Sequence, residues 1–133
     1  MAKAIATETQ RSFISIKGPE LLNMYVGESE RNVRELFAAA KASAPCVLFF
    51  DEVDSLVPKK SWAAGGASDR VVAQLVTEID AVTEDVVLIG ATNRPDIVDP
   101  SLLTPGRFDR KVYLSMNKEI ESKVKIFSGT FIK

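Results

Sequence analysis

Residues 46–52 read CVLFFDE, an apolar run that ends in two adjacent acids. A continuous apolar run of this kind is typical of a strand that is buried on both faces of a parallel sheet. Ligands of open α/β sheets bind beyond the carboxyl ends of the strands, so the pattern indicates a ligand site at Asp51 and Glu52. One carboxylate there could hold Mg²⁺, and the other could polarise a water for attack on a phosphoryl group. The alternative is an ordinary helix start, where acids suit the helix dipole.

Strand and helix patterns alternate along the rest of the chain. Residues 13–16, 86–90 and 111–114 form short β-prone runs, which favours strands. Residues 28–44 and 71–79 carry apolar side chains at helical spacing. This alternation predicts an α/β fold in which a parallel sheet has helices on both of its faces.

The composition excludes several classes of function. The 133 residues suffice for one domain, and 17 Lys and Arg against 18 Asp and Glu leave a net charge of −1. This balance gives no support for binding to nucleic acid or to an anionic membrane, and no apolar run reaches the length of a membrane span. The chain has one cysteine and no histidine, which excludes an intrachain disulfide, a cysteine-cluster metal site and a Ser-His-Asp triad.

Two further polar segments are candidates for a functional role. Residues 90–96 read GATNRPD and place Asn93 after a second apolar strand, where its amide could orient an attacking water or contact a γ-phosphate. Residues 105–110 read PGRFDR and carry Arg107 and Arg110 after a Pro-Gly turn. An arginine in such a turn could neutralise charge on the nucleotide of a neighbouring subunit. Taken singly, each segment is better explained as a polar surface turn.

Taken together, in this order and at this spacing, the three segments resemble the AAA family of ATPases, and the similarity covers nearly the whole chain. The resemblance implies that Asp51 binds Mg²⁺ and the nucleotide, and that Glu52 of the same Walker B motif is the catalytic base. It implies that Asn93 is the sensor 1 residue, which contacts the nucleotide and takes part in catalysis. It also implies that Arg107 and Arg110 are arginine fingers, which act on a neighbouring subunit's nucleotide.

The resemblance also assigns a role to residues 17–30, which read KGPELLNMYVGESE. In the family, the corresponding segment contains the loop that lines a hexamer's central pore. Tyr25 and Val26 fall on the aromatic and hydrophobic positions that grip a threaded polypeptide, and an aromatic ring offers a sequence-tolerant apolar contact. The alternative is a loop aromatic that covers its own core. One departure from the family is visible at residues 104–107, which read TPGR where many members have Arg-Pro-Gly-Arg.

The sequence contains no Gly-x-x-x-x-Gly-Lys-Ser/Thr motif, the Walker A loop whose amides and lysine hold the phosphates. The resemblance therefore implies a truncated α/β core of the P-loop NTPase type at residues 1–117, without its first strand and Walker A loop. Residues 118–133 would begin a C-terminal helical lid. We expect ATP and Mg²⁺ to bind the longer parent, and this chain alone to bind ATP poorly and hydrolyse essentially none. In the family, the first strand lies between those that match residues 86–90 and 111–114, so we expect either a gap or a rearranged pairing there.

Within the family, the chain is most similar to the second ATPase domain of type II AAA proteins, and among these to the peroxisomal biogenesis ATPases. This implies a fragment of an ATP-driven, hexameric motor that remodels proteins and exports import receptors from the peroxisomal membrane. Its partners would be other AAA subunits and a polypeptide in the central pore, with no nucleic acid and no direct membrane insertion. The implied location is cytoplasmic, including the peroxisomal membrane surface. The alternatives are a segregase similar to valosin-containing protein and a non-hydrolysing AAA assembly module.

Overall fold

The computed structural model describes residues 1–23, 29–56 and 67–114. The predicted pore-loop residues Tyr25 and Val26, and the predicted start of the helical lid at 118–133, lie outside these residues. The division of the chain into domains at residue 117 therefore stays a prediction.

Three parallel strands form the sheet: β1 (Ser12–Lys17), β2 (Cys46–Asp51) and β3 (Val86–Gly90). Their order in space is the same as in the sequence, so that β2 lies between the other two. The register pairs Phe50 of β2 with Ile16 on one side and with Gly90 on the other. The carboxyl ends of all three strands consequently lie at one edge of the sheet.

Helices connect and cover these strands. In chain order they are α1 (Ala2–Glu8), α2 (Gly18–Asn23), α3 (Ser29–Ala42), α4 (Val53–Leu56) and α5 (Ala67–Asp80), followed by a 3₁₀ helix at Pro100–Leu103. No helix in the described part of the chain is both long and apolar enough to cross a membrane. The predicted α/β fold, a parallel sheet flanked by helices, is confirmed.

The core lies mainly on the face of the sheet that α3 and α5 cover. Side chains of a strand alternate between its two faces, and Cys46, Leu48 and Phe50 of β2 point to this one. Val47 points to the other face, where α1 packs against β1 and β2. Because Val47 is as fully buried as its neighbours, β2 is covered on both faces, as its apolar run predicts. The helical residues buried in the main cluster are Leu21, Val33, Phe37, Ala40, Val53, Leu56, Val71, Leu75 and Ile79.

Residues 111–114 do not form the predicted strand. Their backbone is irregular, and Val112, Tyr113 and Leu114 are 78%, 90% and 64% exposed. Within the described residues, β3 pairs with β2 along one edge and has no strand along the other. Residues 111–114 do not pair with this open edge of β3, and without a neighbouring strand their backbone groups form no ladder. The predicted strand is therefore wrong for this structure, and β3 has an open edge within the described residues.

Phe37 offers a test of the core. Its ring is fully buried, and its centroid lies 6.0 Å from that of Phe50. We expect Phe37→Ala to lower the free energy of unfolding by about 3–5 kcal/mol, because the truncation leaves a cavity between α3 and β2. Urea denaturation of the chain measures this change. Arg34→Ala, at an exposed position of the same helix, is the control and should change stability by less than about 0.5 kcal/mol. Equal effects of the two substitutions would contradict the assigned core.

Candidate functional site

The ends of β2 and β3 are joined by hydrogen bonds just beyond the sheet. The Ala91 N–H donates to the Phe50 carbonyl over 2.8 Å, and the Val53 N–H donates to the Ala91 carbonyl over 3.0 Å. Asp51 and Glu52 lie between Phe50 and Val53, the two residues that make these hydrogen bonds. The two acids are therefore held against the start of the segment that follows β3, and both lie at the carboxyl edge of the sheet.

Glu52 has an unusual backbone conformation. Its φ angle is +55°, in the left-handed region that residues other than glycine rarely adopt. The Asp51 carboxylate accepts the Glu52 N–H over 3.0 Å, and the Glu52 carbonyl accepts both the N–H and the hydroxyl of Ser55, over 2.9 and 2.7 Å. These bonds compensate for the strained conformation, which is the kind of strain found at functional sites. The Glu52 side chain itself is exposed to solvent.

Asn93 belongs to a segment that is attached to α4. The Thr92 hydroxyl donates to an Asp54 carboxylate oxygen over 2.6 Å, and the Arg94 N–H donates to the Thr92 hydroxyl oxygen over 2.9 Å. Asn93 lies between these two anchored residues and is exposed. The structure thus brings the segments of Asp51, Glu52 and Asn93 to the same edge of the sheet.

Arg107 is not a free surface arginine within its own chain. Its Nε and Nη2 each donate to a separate oxygen of Asp80 over 2.7 Å, and its Nη1 donates to the Ser101 carbonyl over 2.6 Å. Only 20% of the Arg107 side chain is exposed, so the alternative of a polar surface turn does not describe this arginine. These hydrogen bonds lower the pKa of Asp80 and raise that of Arg107. Arg110 lies further along, in the exposed irregular segment.

Phe108 anchors the turn that carries Arg107. Its ring meets the Phe50 ring edge to face, with centroids 6.2 Å apart, and its N–H donates to the Leu102 carbonyl over 3.0 Å. A side chain at Gly90 would come within 3.3 Å of the Phe108 ring and 3.0 Å of Val53. The glycine at the end of β3 therefore leaves room for the aromatic contact that holds the turn to the sheet.

The donors at this edge fit Mg²⁺ better than they fit other metals. No group of three or more His, Cys, Asp or Glu side chains converges anywhere in the described part of the chain. Mg²⁺ is bound in nucleotide sites by one or two carboxylates together with substrate phosphates, so a half-buried Asp51 at the strand end suffices on the protein side. The 133 residues carry no Walker A motif, the loop that cradles phosphates in such sites.

Cys46 takes no part in this chemistry. It lies at the amino end of β2, opposite to the acids, and its thiol donates to the Ala40 carbonyl over 3.1 Å. Burial raises the pKa of the Cys46 thiol, and the charge of Arg11 opposes this rise only in part. The protonated thiol is therefore a small apolar core group rather than a nucleophile.

Sequence reasoning missed several residues that support the site. Asp80 reads as the polar end of a helix, and Phe108 reads as one residue of a surface turn. Their contacts join positions 27 and 58 residues apart in the chain, which no local pattern reports. Asp54, three residues after Asp51, was only a weak signal, because an acid in the first turn of a helix is also explained by the helix dipole.

The pair of Arg107 and Asp80 predicts a pH dependence. The pKa of Asp80 is lower in the folded chain than in the unfolded chain, so the pair stabilises the fold at neutral pH. This contribution is lost as the pH falls through the lowered pKa. We expect Arg107→Ala to bring the pKa of Asp80 back towards its ordinary value, and Arg110→Ala to leave it unchanged. Carboxyl NMR titrations of the three proteins measure this, and identical Asp80 titrations in all three would contradict the pairing.

Comparison with known proteins identifies the family. The family model described as "ATPase family associated with various cellular activities (AAA)" matches residues 1–116. The peroxisomal ATPase PEX6 of Homo sapiens is 56% identical over 133 residues, which cover 97% of this chain and 14% of the relative. The peroxisomal ATPase pex6 of Schizosaccharomyces pombe is 60% identical over 129 residues, which cover 92% of this chain and 14% of the relative.

The plant relative agrees with these two. The peroxisomal ATPase PEX6 of Arabidopsis thaliana is 50% identical over 134 residues, which cover 97% of this chain and 14% of the relative. The chain thus spans only 14% of the length of each of these three relatives. The match to the family model nevertheless extends over nearly all of the chain, and on that ground the chain belongs to the AAA family of ATPases.

Proposed function

We propose that this chain supplies the water-activating edge of an ATP-driven AAA motor of peroxisome biogenesis. The observation that carries the proposal is the hydrogen-bonded junction of Phe50, Ala91 and Val53, which holds Glu52 beside the segment of Asn93. An acid and an amide at adjacent strand ends are the groups that a hydrolytic site needs around an attacking water. Membership of the AAA family supplies the substrate class, a nucleoside triphosphate.

Each residue at the edge has a distinct role in this proposal. Asp51 holds Mg²⁺, which when bound neutralises charge on the phosphates. Glu52 accepts the proton of the attacking water, and its exposed side chain gives the water access from solvent. Asn93 orients that water or contacts the γ-phosphate, and the Thr92 hydrogen bonds limit how far its backbone can move. Proton transfer by a positioned side chain accounts for a rate factor of about 10²–10⁴.

Arg107 and Arg110 are proposed to act on the nucleotide of a neighbouring subunit. The guanidinium of Arg107 has five N–H donors, and the contacts with Asp80 and Ser101 use three of them. In this proposal the remaining donors contact an anion while the side chain stays docked, so that its position is fixed before a phosphate arrives. This prior ordering lowers the entropic cost of stabilising charge in the transition state. Arg110, which is more exposed, would act as the second finger.

The wider assignment rests on the relatives. The three proteins described above are peroxisomal ATPases, and we propose that the parent of this chain works at the peroxisomal membrane from the cytoplasm. It would assemble with other AAA subunits into a hexameric ring and thread a polypeptide, the import receptor being the proposed substrate. Tyr25 and Val26 are the proposed pore-loop residues. A non-hydrolysing assembly module is the second candidate, because the 133 residues contain no Walker A motif.

Replacing the proposed base tests hydrolysis directly. In the full-length ATPase that carries this segment, we expect Glu52→Gln to lower kcat for ATP about 10²–10⁴-fold while ATP binding persists, because only proton transfer is removed. Steady-state turnover and binding of a labelled ATP analogue measure the two properties. Glu84→Gln, at an exposed acid between α5 and β3, is the matched control and should leave both unchanged. Undiminished turnover by Glu52→Gln would show that Glu52 is not the base, whereas absence of turnover in the unaltered protein would favour the assembly module.

Mixed rings test the arginine assignment. If Arg107 acts across the subunit boundary, it serves a nucleotide bound by its neighbour and not the one bound by its own subunit. In full-length rings that mix Arg107→Ala subunits with Glu52→Gln subunits, a site is intact only where an Arg107→Ala subunit binds the nucleotide. Its neighbour, a Glu52→Gln subunit, then supplies the arginine. We expect turnover at each mixing ratio to follow the number of interfaces that combine an intact Glu52 with an intact Arg107. Turnover of pure Arg107→Ala rings equal to that of the unaltered protein would refute the role.

A further inference from the structure

We propose that Gly18 and Ser55 are positioning residues for Glu52, because they fix the backbone turn from which the catalytic side chain projects. The inference rests on the proposed function, since it takes Glu52 to be the base. It adds two residues outside the Walker B, sensor 1 and finger segments, one of them on a different strand-to-helix connection.

The first observation is the closeness of Gly18 to the Glu52 carbonyl. A Cβ atom at Gly18 would lie 2.5 Å from the Glu52 carbonyl oxygen and 3.1 Å from Leu56 Cγ, and it would also collide with the Ser55 hydroxyl. Real Cβ atoms essentially never approach another heavy atom this closely. The first residue of α2 therefore packs directly on the backbone of Glu52, and only glycine permits that contact.

The second observation is that both sides of the contact are held by the sheet. Gly18 follows Lys17 at the end of β1, and Lys17 is registered with Asp51 at the end of β2. Glu52 follows Asp51 directly, so each member of the contact is one residue beyond a paired strand position. Leu21 of α2 and Leu56 of α4 are buried in the same cluster, which prevents the two helices from separating freely.

The third observation is that the turn is strained and is held by Ser55. Glu52 keeps a φ of +55° while its carbonyl accepts two hydrogen bonds from Ser55. A larger residue at position 18 would displace this carbonyl, because the peptide unit that carries it is the nearest backbone. Rotation of that peptide changes the direction in which the Glu52 side chain leaves the chain. Position 18 thus sets the placement of the carboxylate without touching substrate.

The experiment uses the full-length ATPase and measures kcat, the KM for ATP and the thermal midpoint. Gly18→Ala should lower kcat about 10²-fold with an unchanged KM for ATP, because a misplacement of the base near 1 Å has an effect of this size. Leu75→Ala, in the core of α5 and away from Glu52, is the control for lost stability. If Leu75→Ala lowers kcat as much as Gly18→Ala at a similar thermal midpoint, the proposal is overturned.

The double variant Gly18→Ala/Ser55→Ala separates positioning from packing. Removing the Ser55 hydroxyl relieves one collision of the new Cβ and leaves the collision with the Glu52 carbonyl. We expect the thermal midpoint to recover in part while kcat stays low. Recovery of kcat in parallel with the midpoint would show that Gly18 matters only for packing, and would overturn the proposal.

Ser55→Ala alone keeps the test decisive if Gly18→Ala does not fold. Its loss of one hydrogen bond to the Glu52 carbonyl should lower kcat about 2- to 10-fold without a change in KM. An unchanged kcat would overturn the proposal. Glu52→Gln separates the two proposals, that Glu52 is the base and that Gly18 and Ser55 position it. Full turnover by Glu52→Gln would contradict the first proposal. If Glu52→Gln loses turnover while the Gly18 and Ser55 variants keep the kcat of the unaltered protein, only the positioning role is contradicted.

Discussion

The pairing of β2 with a parallel strand along each of its edges is the constraint on which the other features depend. It satisfies the backbone groups of residues 46–51, and helices on both faces bury Cys46, Val47, Leu48 and Phe50. A strand held from four sides has no freedom to slip by one residue, since a slip would turn its core side chains to the opposite face. The position of Asp51 and Glu52 at the carboxyl edge follows from this register.

The edge itself is polar and open, whereas the layer beneath it is apolar and closed. Phe50 contacts both Phe37 and Phe108, so one ring of β2 joins the helical core to the turn that carries Arg107. Above this layer, the Asp54 and Thr92 side chains bond across the two strand ends. The contrast is suited to chemistry on a charged ligand, because a rigid floor positions the polar groups and solvent can still reach them.

Asp80 and Arg107 show how a helix end and a turn can stabilise each other. A carboxylate at the last residue of α5 is unfavourably placed relative to the helix dipole, and a bidentate guanidinium compensates for it. The same contact holds the guanidinium in one orientation. The docked arginine thus stabilises the fold of its own chain.

The sequence alone determined the α/β class, the buried strand at residues 46–51 and the pair of acids at its end. These features are local: an apolar run, a helical spacing and an acid pair can be read within a few residues. The sequence misplaced a strand at 111–114, because β-prone residues become a strand only when a partner lies beside them. Only the tertiary structure decided that Gly18 packs on Glu52 and that Asp80 holds Arg107. Both contacts join residues far apart in the chain, and their closeness depends on the register of three strands and the packing of the helices on them, which no single segment encodes.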